Sequence, residues 1–418
     1  MIRALTVYLN ENKAGTLTQG DDGRLSFCYD RDYLGANGQA ISVAMPLTEA
    51  PFLDKVARAF FSGILPDEGA RQRLAAILGV SRDNAFGLLE IIGGECAGAL
   101  TLLPPDTELP TTDKDNTAPL TSKQLADILH QLRDRPLLGG EQGVRLSLAG
   151  AQDKLAVCVS NGEISLPTDG RPTTHILKPF IRGLAGTVEN ELFCMRLAQR
   201  MGLSAPAVAT GQAGDISYLL IERYDRHRDD NGLISKRHQE DFCQALSVPP
   251  ELKYEAEGGP GVAELQAVIA QHTQRPAADR LTLLQMLLFH YLVGNADAHA
   301  KNYALLYREA VPELAPVYDV VCTAAYPGLS KRMAMQIGGR DLPDTVQWSH
   351  WLTLVPQTRG AQRLLQKEAS NMAGQIGAEA DILLEELREE GTAHLILKTV
   401  RRVITTRAKL LLRACQAH

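Results

Sequence analysis

The spacing of apolar positions changes character along the chain. Leu5-Thr6-Val7-Tyr8-Leu9 and Arg24-Leu25-Ser26-Phe27-Cys28-Tyr29 alternate apolar with polar residues, the period of a half-buried strand. Gly20-Asp21-Asp22-Gly23 lies between them and supplies turn residues, so the two runs read as a hairpin. The period then lengthens to that of an amphipathic helix, from Asp54 to Phe61 and from Glu68 to Leu78. A Pro- and Thr-rich stretch over 104–113 carries no apolar period and reads as a linker. Thr121-Ser122-Lys123-Gln124 opens the next helix with the residues of a capping box. Strand patterns follow from Lys154 to Val159, Ile164 to Pro167, His175 to Lys178 and Tyr218 to Glu222. One helical pattern interrupts them, from Val188 to Met201, closed by Gly202. After about Val248 helical patterns take over, apart from two short strands around a charged turn between Tyr303 and Tyr318. Mixed α/β first and helical second predicts an α+β, two-lobed unit behind an N-terminal appendage. No repeat or low-complexity tract interrupts it.

Composition narrows this picture. The 418 residues are 45 % apolar and 22 % charged, the proportions of a chain that buries cores rather than one that stays unfolded. Lys and Arg number 43 against 49 Asp and Glu, a net charge of −6, which excludes a predominantly basic nucleic-acid binder and leaves only a local patch for such a role. The most apolar stretch, Leu281 to Gly294, contains Gln285 and His290 and falls short of the about 20 residues of a membrane span; it reads as a buried core helix. The first nine residues lack the apolar core and small-residue cleavage site of a secretory leader. The seven cysteines (28, 96, 158, 194, 243, 322, 415) are odd in number, dispersed and without a C-x-x-C pair. Neither a disulfide framework nor a zinc site is expected, and a cytoplasmic location is.

The richest chemistry lies in Val293-Gly294-Asn295-Ala296-Asp297-Ala298-His299-Ala300-Lys301-Asn302, after the apolar helix and before the short strands. Asp319 then ends the apolar run Ala315-Pro316-Val317-Tyr318. Asp-x4-Asn, a hairpin and a second Asp suit phosphoryl transfer: Asp297 takes or orients the proton of an incoming hydroxyl, while Asn302 and Asp319 hold Mg²⁺ against nucleotide phosphates. A metallohydrolase built on His299, Asp297 and Asp319 is the alternative, although further histidine ligands are missing nearby. Lys178 ends the strand His175-Ile176-Leu177 and is placed to meet phosphate oxygens, with Glu189 or Glu191 on the following helix as its acid. Small residues in Ser147-Leu148-Ala149-Gly150-Ala151-Gln152-Asp153-Lys154 let backbone N–H groups approach phosphates. The strand ending Glu222-Arg223-Tyr224-Asp225-Arg226 has the form of a hinge whose backbone could bond an adenine, with Tyr224 beside it.

These blocks, in this order, resemble the HipA family of serine/threonine toxin kinases from type II toxin–antitoxin systems. The resemblance spans nearly the whole chain. It includes Phe60-Phe61-Ser62-Gly63-Ile64-Leu65-Pro66-Asp67, Gly98-Ala99-Leu100-Thr101-Leu102, Gln239-Glu240-Asp241, Lys253-Tyr254-Glu255 and Gly258-Gly259-Pro260-Gly261 as well as the segments above. The resemblance implies a protein-kinase-like α+β fold, related to the phosphoinositide-kinase folds, in three segments: an N-terminal α/β subdomain (1–110), a nucleotide-binding N-lobe (111–247) and a helical C-lobe with the catalytic loop (248–418). It implies Asp297 as catalytic base, Asn302 and Asp319 as Mg²⁺ ligands, and Lys178 on the ATP phosphates. It further implies Glu222, Arg223 and Tyr224 as the adenine hinge and Ala149, Gly150, Ala151, Gln152, Asp153 and Lys154 over the phosphates, with His299, Lys301 and Tyr318 in the nucleotide site. Ser147 takes the autophosphorylation position, at which modification would eject the loop and shut the kinase off. Two departures stand out: Ala298 where Gly is expected, and Tyr318-Asp319-Val320 without the Gly that follows the metal Asp of ordinary protein kinases.

The partners so implied are a HipB-like helix-turn-helix antitoxin, operator DNA reached through the antitoxin complex, and a protein of translation, of the aminoacyl-tRNA synthetase class. The consequences would be growth arrest, persistence and corepression of the operon. Lys398, Arg401, Arg402, Arg407, Lys409 and Arg413 on the last helix, with no acid after Glu390, read as a solvated basic face or a secondary DNA or tRNA contact. Two other functions are set against the toxin kinase: a small-molecule phosphotransferase and a catalytically silent, antitoxin-bound corepressor.

Overall fold

The computed structural model describes residues 2–36, 38–110, 118–141, 145–167, 171–230 and 232–416. The N-terminal alternation forms a sheet with two strands more than expected. β1 (Arg3–Leu9) pairs with β2 (Asn12–Gln19), and β2 with β3 (Leu25–Tyr29), all antiparallel. The turn at 20–23 therefore joins β2 to β3, and the expected direct hairpin between the two alternating runs is corrected. The strand β2 was hidden because Asn12-Lys13-Ala14-Gly15-Thr16-Leu17-Thr18-Gln19 sends only the small Ala14 and one Leu fully into the core. Gly15 is required there: a Cβ would lie 2.2 Å from the Cys28 carbonyl oxygen.

Four helices follow: α1 (Arg31–Gly35), α2 (Asp54–Gly63), α3 (Glu68–Leu78) and α4 (Ala85–Ile92). Then β4 (Leu100–Leu103) pairs with β1 and completes a sheet ordered β3-β2-β1-β4. Phe27, Phe60, Phe61 and Phe86 are fully buried between this sheet and its helices. The expected linker has neither helix nor strand over 104–110, and the rest of it lies outside the described residues. Thr121 caps α5 (Ser122–Gln131) with both bonds of the capping box to Gln124.

A second sheet is ordered β6-β5-β7-β9-β8, with β5 (Leu155–Ser160), β6 (Glu163–Ser165) and β7 (His175–Pro179) entering first. After α6 (Thr187–Arg200) come β8 (Val208–Ala213) and β9 (Ile216–Glu222). The strand β8 (Val-Ala-Thr-Gly-Gln-Ala) was not expected, since its apolar residues are small and one position is Gly. A hairpin of β10 (Arg226–Arg228) and β11 (Ile234–Lys236), then β12 (His238–Asp241) and α7 (Phe242–Ala245), complete this part. Next come α8 (Val262–His272), α9 (Pro276–Val293), β13 (Ala304–Tyr307), β14 (Glu313–Leu314), α10 (Trp348–Leu352), α11 (Arg359–Glu389) and α12 (Ile396–Gln416).

These elements form two compact units that interleave in sequence. The first comprises 1–179, 212–251 and 305–312; the second comprises 180–211, 252–304 and 313–418. In the second, α9 is the buried core helix foreseen from its composition, with Leu283, Leu288, Phe289 and Leu292 inside and α8, α11 and α12 against it. None of the described helices is long and apolar enough to cross a membrane, and all seven cysteines are free thiols. On α12, Arg401 is held by Asp381 of α11 and Arg407 lies 5.1 Å over the Tyr291 ring, whereas Lys398, Arg402, Lys409 and Arg413 are exposed.

Candidate active site

The first unit carries the residues expected to meet a nucleotide. Lys178 lies inside β7, 5 % exposed, with β9 hydrogen-bonded alongside. Glu222 ends β9, exposed, and the next residues enter a buried ionic cluster. Arg223 donates to Asp225 (Nε 2.9 Å, Nη2 2.7 Å) and to Thr173, while Arg226 donates to Glu95 at 2.9 Å. Asp225 also accepts the Gly98 amide at 2.7 Å. Burial alone would raise the Glu95 carboxyl, but Arg226, Lys236 and Arg223 outweigh it and hold the group at about 2. The Arg223 side chain and its amide, which bonds the Thr174 carbonyl, are thus both committed to structure. What this hinge can offer a base is its remaining backbone and the half-buried Tyr224 ring, whose hydroxyl bonds Gln239.

The loop 147–154 is folded onto the N-terminal half of the same unit. Ser147 is fully buried; its amide donates to the Glu95 carbonyl (2.8 Å) and its hydroxyl to the Ile64 carbonyl (3.0 Å). Gly150 takes φ +108, and its carbonyl accepts the Asp67 amide at 3.1 Å. Lys154 Nζ closes on the Ala149 carbonyl (2.5 Å), Gln152 on the Pro179 carbonyl (3.2 Å), and Asp153 pairs with Arg73 at 2.5 Å. The block Phe60 to Asp67 is therefore the cradle of this loop, a role the sequence marked by position without revealing its partner.

The second unit carries the segment expected to be catalytic. Gly294 ends α9 at φ +74, and its carbonyl accepts the Thr323 hydroxyl (3.2 Å) and the Ala324 amide (3.0 Å). A Cβ there would lie 2.6 Å from Val403 of α12. The Ala296 amide donates to Thr323 Oγ1 (2.8 Å), and the Ala334 amide to the Ala296 carbonyl (2.8 Å), so the loop is stitched on both edges. Asp297 follows with its carboxylate exposed. Its amide is held by Asn295 Oδ1 at 3.0 Å, and its Oδ1 accepts the Tyr254 hydroxyl at 2.8 Å. The Asp297 carbonyl accepts the His299 amide (2.8 Å) and Asn302 Nδ2 (3.2 Å), tying Asp297 and Asn302 into one turn. Lys301 and Asn302 are buried; the Lys301 carbonyl accepts the Tyr318 hydroxyl at 2.6 Å, which anchors the segment leading to Asp319. Asp319 itself sits at φ +57. Ala298 has no left-handed backbone, so the expected Gly is not needed.

Two positioning residues escaped the sequence reading. Tyr254 orients Asp297 and meets the His299 ring edge-on at 5.1 Å; its block, Lys253-Tyr254-Glu255, had been noticed without a role. Asn190, fully buried on α6, donates to the Cys322 carbonyl (3.1 Å) and accepts the Cys322 amide (2.9 Å), fixing the chain just after Asp319. It stood between the two acids, Glu189 and Glu191, that drew attention; Glu189 is half-buried and Glu191 buried on the same helix.

Asn302 spends its Nδ2 on the Asp297 carbonyl, which leaves its Oδ1 as an acceptor; with the Asp319 carboxylate this is a hard-oxygen donor set suited to Mg²⁺. No group of three His, Cys, Asp or Glu arranged to hold a metal occurs among the described residues, so His299, Asp297 and Asp319 do not form a hydrolase-type centre there.

Comparison with known proteins covers nearly the full chain. Family models match at residues 5–103 (HipA N-terminal domain) and 146–382 (HipA-like C-terminal domain). The chain is 42 % identical to the putative kinase Y4mE of Sinorhizobium fredii, over 92 % of this chain and 93 % of that one. It is 29 % identical to the serine/threonine-protein kinase toxin HipA of Shewanella oneidensis, over 76 % and 74 % of the two chains. A solved structure of the Shewanella oneidensis HipA, with HipB and operator DNA, superposes with a TM-score of 0.81 at 24 % identity, covering 99 % of this chain and 97 % of that one. The likeness gives this chain the same α+β kinase-like fold.

Proposed function

This chain belongs to the HipA family, and from that premise we propose that it is the toxin of a toxin–antitoxin module, an ATP- and Mg²⁺-dependent serine/threonine protein kinase of the cytoplasm. The observation that carries the reading is Asp297: an exposed carboxylate aimed by Tyr254 through one oxygen, its own carbonyl tied to Asn302. The substrate hydroxyl loses its proton to Asp297 as its oxygen bonds the γ-phosphorus and the bond to the bridging oxygen of ADP breaks. Lys178 neutralises phosphate charge, and the backbone of Glu222, Arg223 and Tyr224 holds the base, with Ala149 to Lys154 over the phosphates. Asn302 and Asp319 would hold Mg²⁺, which supplies charge neutralisation at the transferring phosphoryl group when bound. His299, Lys301 and Tyr318 keep these ligands in place. The domains read as an N-terminal subdomain (1–110), a nucleotide-binding segment (111–247) and a catalytic segment (248–418).

Ser147 is the proposed autophosphorylation site and off-switch. Its hydroxyl is fully buried on the Ile64 carbonyl, and a dianion cannot return to that acceptor. Modification would therefore hold loop 147–154 away from its cradle. A HipB-like antitoxin and, through it, operator DNA are the proposed partners; a translation protein of the aminoacyl-tRNA synthetase class is the proposed substrate.

The test is incubation with Mg²⁺ and γ-labelled ATP, followed by peptide mapping. Label on Ser147 in the parent, none after Asp297→Asn and none with excess chelator is the expected result. Label that passes to an added sugar or aminoglycoside and never to Ser147 would mean a small-molecule phosphotransferase instead. A chain that binds antitoxin and operator DNA without transferring label would be a silent corepressor.

A further inference from the structure

Behind the catalytic segment, wholly within the second unit, lies a pocket of about 400 Å³ that the kinase reading does not use. Its floor is apolar, made by Tyr291 of α9, Ala296, Met333, Pro343 and Val403 of α12. Its rim is cationic: Lys331 and Arg402 are exposed, and Arg407 is half-buried, while Asp344 is the single acid on the wall. Thr399 and Thr406 add hydroxyls on the α12 side. Two polar atoms among these residues have no hydrogen-bond partner although buried, Arg407 Nη1 and His290 Nε2. His290 is 3 % exposed, and its other nitrogen, Nδ1, is taken by Asn295 Nδ2 at 3.1 Å, which makes Nε2 the protonated, donating nitrogen. A buried donor left without an acceptor is costly, and a pocket whose wall keeps the Arg407 donor, with Arg402 and Lys331 beside it, over apolar side chains suits an anion with an apolar body.

We propose that this pocket is a binding site for a small organic anion, a phosphate or carboxylate carried on a flat aromatic or heterocyclic body. The body would lie on Met333, Pro343 and Val403, and the anion would take Arg407 Nη1 with Arg402 or Lys331. The geometry couples the site to catalysis. Gly294, Asn295 and Ala296 line the pocket and lead directly into Asp297, and the Gly294 Cα faces Val403 too closely to admit even a methyl group. An occupant between α12 and this segment bears directly on the segment that sets Asp297. Binding does not depend on the kinase reading; an effect on phosphotransfer would rest on it.

The protein contains its own reporter. Its two tryptophans, Trp348 and Trp351, both lie on α10, and Trp351 packs edge-on against Tyr291 with ring centroids 5.4 Å apart. With ADP and Mg²⁺ kept saturating so that the nucleotide site is filled, phenyl phosphate added to the full chain is expected to give a saturable change in tryptophan emission. Arg402→Gln, a change on an exposed helix face, and Arg407→Gln should each weaken binding about tenfold, one charge-assisted contact's worth. Val403→Phe, which fills the floor, should abolish it, and inorganic phosphate or phenol alone should bind more weakly than phenyl phosphate. No saturable signal, unchanged affinity in both arginine variants, or displacement by ADP would each overturn the proposal. If phenyl phosphate binds as expected yet autophosphorylation is absent in every form of the protein, the pocket stands and the kinase reading falls.

Discussion

Glu95 and Glu240 are both buried carboxylates, and their neighbours send them opposite ways. Glu95 is surrounded by Arg226, Lys236 and Arg223 and stays ionised down to about 2. At Glu240 burial dominates and pushes it up to about 7, against the pull of hydrogen bonds from Ser42, Tyr307 and the Val43 amide. Removing Glu95 strands buried guanidinium groups, so Glu95→Ala should lower stability by about 3–5 kcal/mol, read as a drop in the denaturant midpoint. For Glu240 the folded value lies above that of the unfolded chain. Its stabilising contribution is therefore complete below about pH 4.5 and is lost as the pH rises through about 7. Glu240→Gln should consequently gain on the parent in thermal midpoint between about pH 5 and pH 8; a gap constant with pH would place the titration elsewhere. The sequence displayed Glu222-Arg223-Tyr224-Asp225-Arg226 as a motif, and the Arg223–Asp225 pair lies within it, but the second acid of the cluster, Glu95, lies 128 residues from Arg223 and could not be seen from spacing.

At the scale of elements, legibility followed the strength of the local signal. The helices α2, α3, α6 and α9 were visible because their apolar residues recur at helical spacing, and α5 because Thr121 and Gln124 satisfy each other's backbone. The strands β2 and β8 were not, because small and polar residues paired by tertiary context carry no alternation. Thr121→Ala should cost about 1 kcal/mol of stability without altering the catalytic segment, measurable in urea unfolding. Gly294 is a sterner case: φ +74 and a Cβ position 2.6 Å from Val403 leave no room for a side chain. Gly294→Ala should reduce autophosphorylation at least about tenfold while ADP affinity is kept, on the proposal that the base and phosphates are held mainly by Lys178, the hinge and loop 147–154. Loss of ADP binding in that variant would show that the damage is global. The Asp-x4-Asn was legible as a spacing; that Tyr254 holds Asp297 and Asn190 holds the chain after Asp319 was not, since each reaches its partner from a distant loop or helix.

For the whole molecule, composition excluded classes of function without naming one, and the −6 charge says nothing of the four exposed cations left on α12. The two compact units are each assembled from three separate stretches of chain, and the last stretch of the first unit, 305–312, comes after two of the second unit's three stretches. The genetic consequence is that neither unit can be encoded by one uninterrupted piece of the reading frame. A stop codon anywhere before codon 305 truncates both units together, whereas one after codon 312 keeps every stretch of the first and cuts only the second, and a split-gene experiment that aims to express one unit would have to rewire the order of the coding segments first.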